Sequence, residues 1–265
     1  MAKEEKKPDP KSNPIPAETP LAKPADTAMT EKVMTPAEMQ QMYGELNTDD
    51  ISIPRLTVLQ GLSPQVNEGL GRPGNLFITG LNRELGKEVE IIPLIRNQSR
   101  IRWKPLTEGG GILCQSFDAK IGRGEPGGLC ANCALKDWAG SNPPACDLYE
   151  NIILILRNDD DMIPMALSGS RTKLKAMRDL NTLFMSEMIK RRPLYMKSYW
   201  IKVVDKTSSA GLKYFSFRLF PGNDNKVLPL TESGKAALLY ESIKHKNLKI
   251  NQENETVQPE INNEL

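Results

Sequence analysis

All four cysteines of the chain, Cys114, Cys130, Cys133 and Cys146, fall inside one short stretch. Gly122, Gly124, Gly127, Gly128, Gly140, Pro126, Pro143 and Pro144 run between them. A segment so rich in glycine and proline sustains no long helix and buries little apolar surface, so packing alone does not offset the entropy of ordering it. Another tie is required. A Zn²⁺ ion held by four thiolates closes such loops and puts its binding free energy into folding. The Cys-x-x-Cys spacing of Cys130 and Cys133 lets two sulfurs approach one ion from the same side. The expected ligands are therefore Cys114, Cys130, Cys133 and Cys146, with Zn²⁺ the expected cofactor. The competing readings are two disulfides, four unconnected thiols or a Cys-x-x-Cys redox pair. Disulfides call for an oxidising compartment, and the opening Met-Ala-Lys-Glu-Glu-Lys-Lys has no apolar export core. The redox motif calls for a strand feeding a helix, which nothing around Leu129 to Leu135 suggests. Zinc ribbons usually pair two knuckles, whereas Cys114 and Cys146 stand singly. His245 lies in a basic, polar stretch and reads as solvated.

With 265 residues the chain can bury a substantial core. No apolar run is long enough to span a bilayer, so a soluble protein without membrane partners is expected, and its thiol usage points to the cytoplasm. The net charge of +2 argues for no partner, but its distribution is uneven. From Arg171 to Arg218 there are twelve Lys or Arg against three acids, whereas Asn251 to Leu265 holds four Glu and no base. A basic middle precedes an acidic end.

Residues 1–45 alternate proline with Lys, Glu, Ala and Thr and read as a disordered tail, with one short helix at Ala37 to Tyr43. Strands are expected at Ile51 to Leu62, Asn75 to Thr79, Val89 to Lys104, Asn151 to Leu156 and Met162 to Leu167. Asp159 to Asp161 read as a solvated hairpin turn rather than a divalent-metal site. A helix should run from Ser170 or Thr172 to Lys190, burying Leu174, Met177, Leu180, Phe184 and Met188. Leu194 to Val204 and Leu212 to Phe220 form a hairpin, and a last helix spans Glu232 to Lys246. The expected organisation is an N-terminal tail (1–45), a core (51–220), a zinc-bearing insertion within it (109–150), a helical segment (221–249) and an acidic disordered tail (250–265). The fold class is mainly β, a small barrel of the oligonucleotide-binding (OB) type with one long helix and the four-Cys insertion.

Two stretches carry the chemistry of single-strand binding, which combines a cationic groove for phosphates with aromatic platforms for bases. Arg96, Gln98, Arg100, Arg102 and Lys104 share one parity of a strand, four cations and no acid. The hairpin interleaves Lys197, Tyr199, Trp200, Lys202, Lys213, Tyr214 and Arg218, and Arg171 and Lys173 open the helix before it. Together these are the candidate nucleic-acid contacts, provided both surfaces border one trough. A solvated outer face and a packed aromatic core are the plainer alternatives.

The run Ile53-Pro54-Arg55-Leu56 with Leu59-Gln60-Gly61-Leu62-Ser63-Pro64, then Ile101-Arg102-Trp103, then Ala166-Leu167-Ser168-Gly169-Ser170 ahead of Lys175-Ala176-Met177-Arg178-Asp179-Leu180-Asn181, resembles single-stranded-DNA-binding proteins of lytic bacteriophages. The resemblance implies a barrel, a zinc-bearing subdomain, an acidic tail that recruits replication partners, and a place in the host cytoplasm. It implies a non-enzymatic role in DNA replication, repair or recombination. The familiar phage zinc subdomain uses one His with three Cys, whereas all four candidates here are Cys. The runner-up is a protein-interaction or transcription factor that docks on a host polymerase through the zinc-stapled loop, with Trp138 and Leu148 as anchors. No nucleophile elbow, phosphate loop or His-Glu-x-x-His is present, so an enzyme is not expected.

Overall fold

The computed structural model describes residues 52–208, 211–245 and 249–250. The tails expected at 1–45 and beyond Ile250, and the helix at Ala37 to Tyr43, lie outside them. The first strands are β1 (Ser52–Ile53), β2 (Arg55–Val58), β3 (Leu76–Thr79), β4 (Arg83–Gly86) and β5 (Glu88–Trp103). Next come β6 (Ile112–Ser116), β7 (Ile121–Gly124), β8 (Gly128–Leu129), β9 (Asp147–Leu156) and β10 (Met165–Gly169). The hairpin β11 (Tyr199–Thr207) and β12 (Lys213–Pro221) and the short β13 (Lys249–Ile250) complete the set. The helices are α1 (Pro64–Asn67), α2 (Leu174–Ile189) and α3 (Leu230–Ile243).

Eleven strands join one mixed sheet in the order β4-β3-β2-β10-β9-β5-β6-β7-β8, with β11 on β5 and β12 on β11. The β10–β2 pair is parallel, whereas β9, β11 and β6 all run antiparallel to β5. This sheet is open and does not close into the expected barrel. The reason lies in β9 and β5. Ile152 to Leu156 is an unbroken apolar run, and alternation of side chains across the pleat sends Ile152, Leu154 and Leu156 to one core and Ile153 and Ile155 to the other. A strand buried on both faces needs cover on both. Helix α2 supplies Met177, Leu180 and Phe184 to the first core, and α3 supplies Ala236 and Ile243 to the second. The central sheet is thus a layer between two helices.

Strand β5 is sixteen residues long, and its register against β9 shifts once. Pro93 faces Leu154 and Ile95 faces Ile153, leaving Leu94 as an extra residue in a bulge. Proline has no N–H to give a ladder, and bulges are where an interior strand tolerates it. On its other edge β5 pairs with β11 only up to Ile91 and with β6 only from Arg100. The stripe expected on α2 holds at Met177, Leu180 and Phe184, is only half-buried at Leu174 and fails at Met188. Met188 is 70% exposed, and Glu187 takes the buried place beside it. No described helix is long and apolar enough to cross a membrane.

Candidate nucleic-acid interface and cysteine cluster

The hairpin register sorts its side chains. Tyr199, Ile201, Val203, Phe215, Phe217 and Leu219 turn into the α2-side core. On the other face four cross-strand pairs follow one another: Trp200 opposite Phe220, Lys202 opposite Arg218, Val204 opposite Ser216 and Lys206 opposite Tyr214. Arg218 and Phe220 are exposed, and Trp200, Lys202, Lys206 and Tyr214 are half-buried. The Lys202 ammonium stands 5.6 Å from the centre of the Trp200 ring and 2.7 Å from Glu88. At about 6.7 Å per two residues along a strand, the ladder from Trp200 to Lys206 extends about 20 Å. Gln60 fixes the outer strand in place, donating to the Phe215 carbonyl at 2.9 Å and accepting from its N–H at 3.0 Å.

The cations of β5 do not join this surface. Because of the extra residue at Leu94, Arg96 faces Ile152 and Arg100 faces Leu148, on the α2 side of the sheet, whereas Trp200 and Lys202 lie opposite Glu90 and Glu88 on the α3 side. The two stretches border no common trough. Each arginine is also engaged. Arg96 donates to Glu150 at 2.8 Å, and Gln98 donates to the other oxygen of that buried carboxylate. The acid absent from the β5 pattern comes from the neighbouring strand. Arg102 donates to the Glu125 carbonyl at 3.1 Å, and the half-buried Lys104 donates its backbone N–H to the Gly111 carbonyl.

Among the remaining candidates, Arg171 binds Asp147 at 2.9 Å and Lys173 is half-buried ahead of α2. Lys197 is buried, pairing with Glu187 at 3.0 Å and donating to Asn225 at 2.7 Å. Tyr199 is 2% exposed, its ring edge-on to Phe184 at 5.3 Å. Burial, with the Glu187 charge nearby, pushes its phenol well above the usual range. Both are core residues rather than surface contacts. Lys213 is exposed near the hairpin turn, on the opposite face from Tyr214. The sequence reading missed Lys206 and Phe220. Folding the hairpin about its loop so that paired numbers share one sum would have placed both beside Tyr214 and Trp200.

The structure brings the four cysteines to one place. Cys114 on β6, Cys130 and Cys133 at a 3-10 turn, and Cys146 before β9 all line a cavity of about 20 Å³, joined by Arg100, Arg102 and Lys136. All four are free thiols, so no disulfide links them. Among the described residues no three His, Cys, Asp or Glu side chains stand in metal-ligating geometry. Burial raises the Cys146 thiol, while Arg100, donating to its sulfur, works against that rise. Lys136 carried no signal in the sequence beyond its nearness to Cys133.

No curated protein and no solved structure matches the chain. Residues 25–249 match the profile described as Pam3 phage gp34-like protein. That match spans most of the chain, which therefore belongs to the Pam3 phage gp34-like protein family.

Proposed function

We propose that this bacteriophage-family protein binds single-stranded DNA without strong sequence preference, through the outer ladder of the β11–β12 hairpin rather than through a barrel groove. The observation that carries the reading is the placement of Lys202 directly opposite Arg218, next to the Trp200–Phe220 pair. Like charges directly opposite each other destabilise a ladder, and Glu88 at 2.7 Å offsets this for Lys202 but not for the exposed Arg218. A polyanion laid along the hairpin would answer Arg218 and Lys206 and compete with Glu88 for Lys202. Its phosphates would meet Lys202, Lys206 and Arg218, and its bases would stack on the rings of Trp200, Phe220 and Tyr214. Arg96, Lys197 and Tyr199 take no part. The protein would act as a coat or chaperone of the strand during replication, repair or recombination, with no catalytic step. The test is fluorescence anisotropy with oligo(dT) at two salt concentrations. Binding that weakens steeply with salt is expected, because cations on phosphates release counterions. Absence of binding at low salt overturns the proposal.

A second reading, docking on a host replication or transcription protein, is favoured by Ile121, Leu129 and Trp138, which are 57%, 59% and 66% exposed around the cysteine cluster. Retention of purified host RNA polymerase that survives nuclease digestion and is lost in Trp138→Ala would support it.

A further inference from the structure

Among the residues of 104–146 whose burial is described, Ser116, Gly122 and Cys130 are the buried ones. None is a large apolar side chain. Strands β6, β7 and β8 and two 3-10 turns are nonetheless set in fixed order here, with no large buried apolar side chain of their own among the described residues. Ordering a chain costs conformational entropy at every residue, so a compensating interaction is needed. What these elements share is the cavity walled by the four thiols.

We propose that Cys114, Cys130, Cys133 and Cys146 close on one Zn²⁺ as four thiolates, and that Arg100, Arg102 and Lys136 neutralise the resulting centre. On binding, four S–H groups give up four protons and four Zn–S bonds form, leaving a unit with two net negative charges. That charge explains the cavity's walls. Arg100, Arg102 and Lys136 line it and no carboxylate does, although Lys136 is also paired with Asp137 at 2.6 Å outside the lining. Neutral thiols have no need of the two arginines; a dianionic metal centre has.

The space is small. At about 20 Å³ the cavity is too small for an organic ligand. Gly122 keeps it open, because a Cβ there would lie 2.9 Å from the Cys114 sulfur. Gly124, at φ +115°, lets the backbone close behind, since a Cβ there would lie 2.2 Å from the Leu113 carbonyl oxygen. All four thiols line the cavity without standing in ligating geometry, so loading would require them to rearrange. A redox pair would need two of these cysteines, not the convergence of four. This inference is independent of the DNA-binding proposal, and either can fail alone.

The test uses the full chain purified without added metal. Elemental analysis should find one zinc per chain, and all four thiols should resist alkylation until a strong chelator is added. Cobalt substitution should give the intense visible bands of tetrahedral thiolate coordination. Cys114→Ser should lose the zinc; because that variant risks misfolding, Arg100→Gln serves as the second. It should keep the fold and the four-thiolate cobalt spectrum but release metal to a competing chelator at least about tenfold more readily, since hydrogen bonds from charged donors are among the strongest in proteins. A metal-free folded chain with four reactive thiols, a mass showing disulfide formation, or iron in place of zinc would each overturn the assignment.

Discussion

Glu187 and Lys197 form an ion pair 3.0 Å long with both side chains withdrawn from solvent. Helix α2 thereby presents a carboxylate where its periodicity called for a methionine, and the strand approach to β11 presents the lysine that answers it. Removing one partner of such a buried pair costs up to about 3–5 kcal/mol, softened on the Glu187 side by Lys190 and Arg192 at 3.9 Å. Glu187→Ala and Lys197→Ala should each lower stability by that order in urea denaturation. The double variant Glu187→Leu/Lys197→Met should recover most of it. Neither single change should alter oligonucleotide affinity under conditions where the protein remains folded.

The same pair sets an acid limit. Burial alone would raise the Glu187 pKa, but the hydrogen bond and charge of Lys197, with help from Ser186 and Lys190, outweigh it and hold the carboxyl below its usual 4.5. A carboxylate whose folded pKa is depressed stabilises fully above its unfolded value and loses that contribution as pH falls through the folded one. Stability should therefore decline as pH drops below about 4.5, less steeply in Glu187→Gln. Parallel slopes for the two proteins would contradict the assignment.

The hairpin ladder makes the DNA-binding proposal local. Trp200→Ala and Phe220→Ala should each weaken oligo(dT) binding by about 1–3 kcal/mol, the range found for loss of a stacked base. Arg218→Ala should reduce the salt dependence by about one phosphate's worth, and Arg96→Ala should leave it unchanged.

Arg157 ties α3 to the sheet. It reaches Glu90 at 2.8 Å with one nitrogen and Glu232 at 2.7 and 3.2 Å with two others. Hydrogen bonds to charged partners contribute about 1.5–3 kcal/mol, so Arg157→Ala should cost about that much and speed amide exchange in α3 before the rest.

If the acidic residues after Asn251 compete for the hairpin's cations, deleting 251–265 should tighten oligo(dT) binding at low salt and do little at high salt, where the Debye length shrinks. Equal affinity of both chains at low salt would remove this role.

Much of the fold was legible where apolar period and turn residues agreed. The strand Ile152 to Leu156, the stripe Met177, Leu180 and Phe184, and the late hairpin all follow from local patterning. The strands β6 to β8 were not legible, because glycine and proline obscure the two-residue alternation and little is buried there. The largest misreading has one cause. A shared trough would need β5 to be regular, which would put Arg96 to Arg102 on the face of Glu88 and Glu90, and so beside Trp200 and Lys202. The extra residue at Leu94 inverts that parity from Ile95 onward. Pro93 was the only hint, and a proline in a strand does not say which residue bulges. Glu150 was invisible for a related reason: pairing across strands depends on register, which the sequence of one strand does not contain.

The cysteine-bearing lobe is joined to the apolar layers by the far end of the β5–β9 ladder and contributes nothing large to either core. Its melting is therefore separable from that of the helix-covered sheet. Heating or chelation should release the lobe first as a cooperative unit of its own, and a protease would find its earliest cuts between Lys104 and Cys146, leaving the two-helix layer intact.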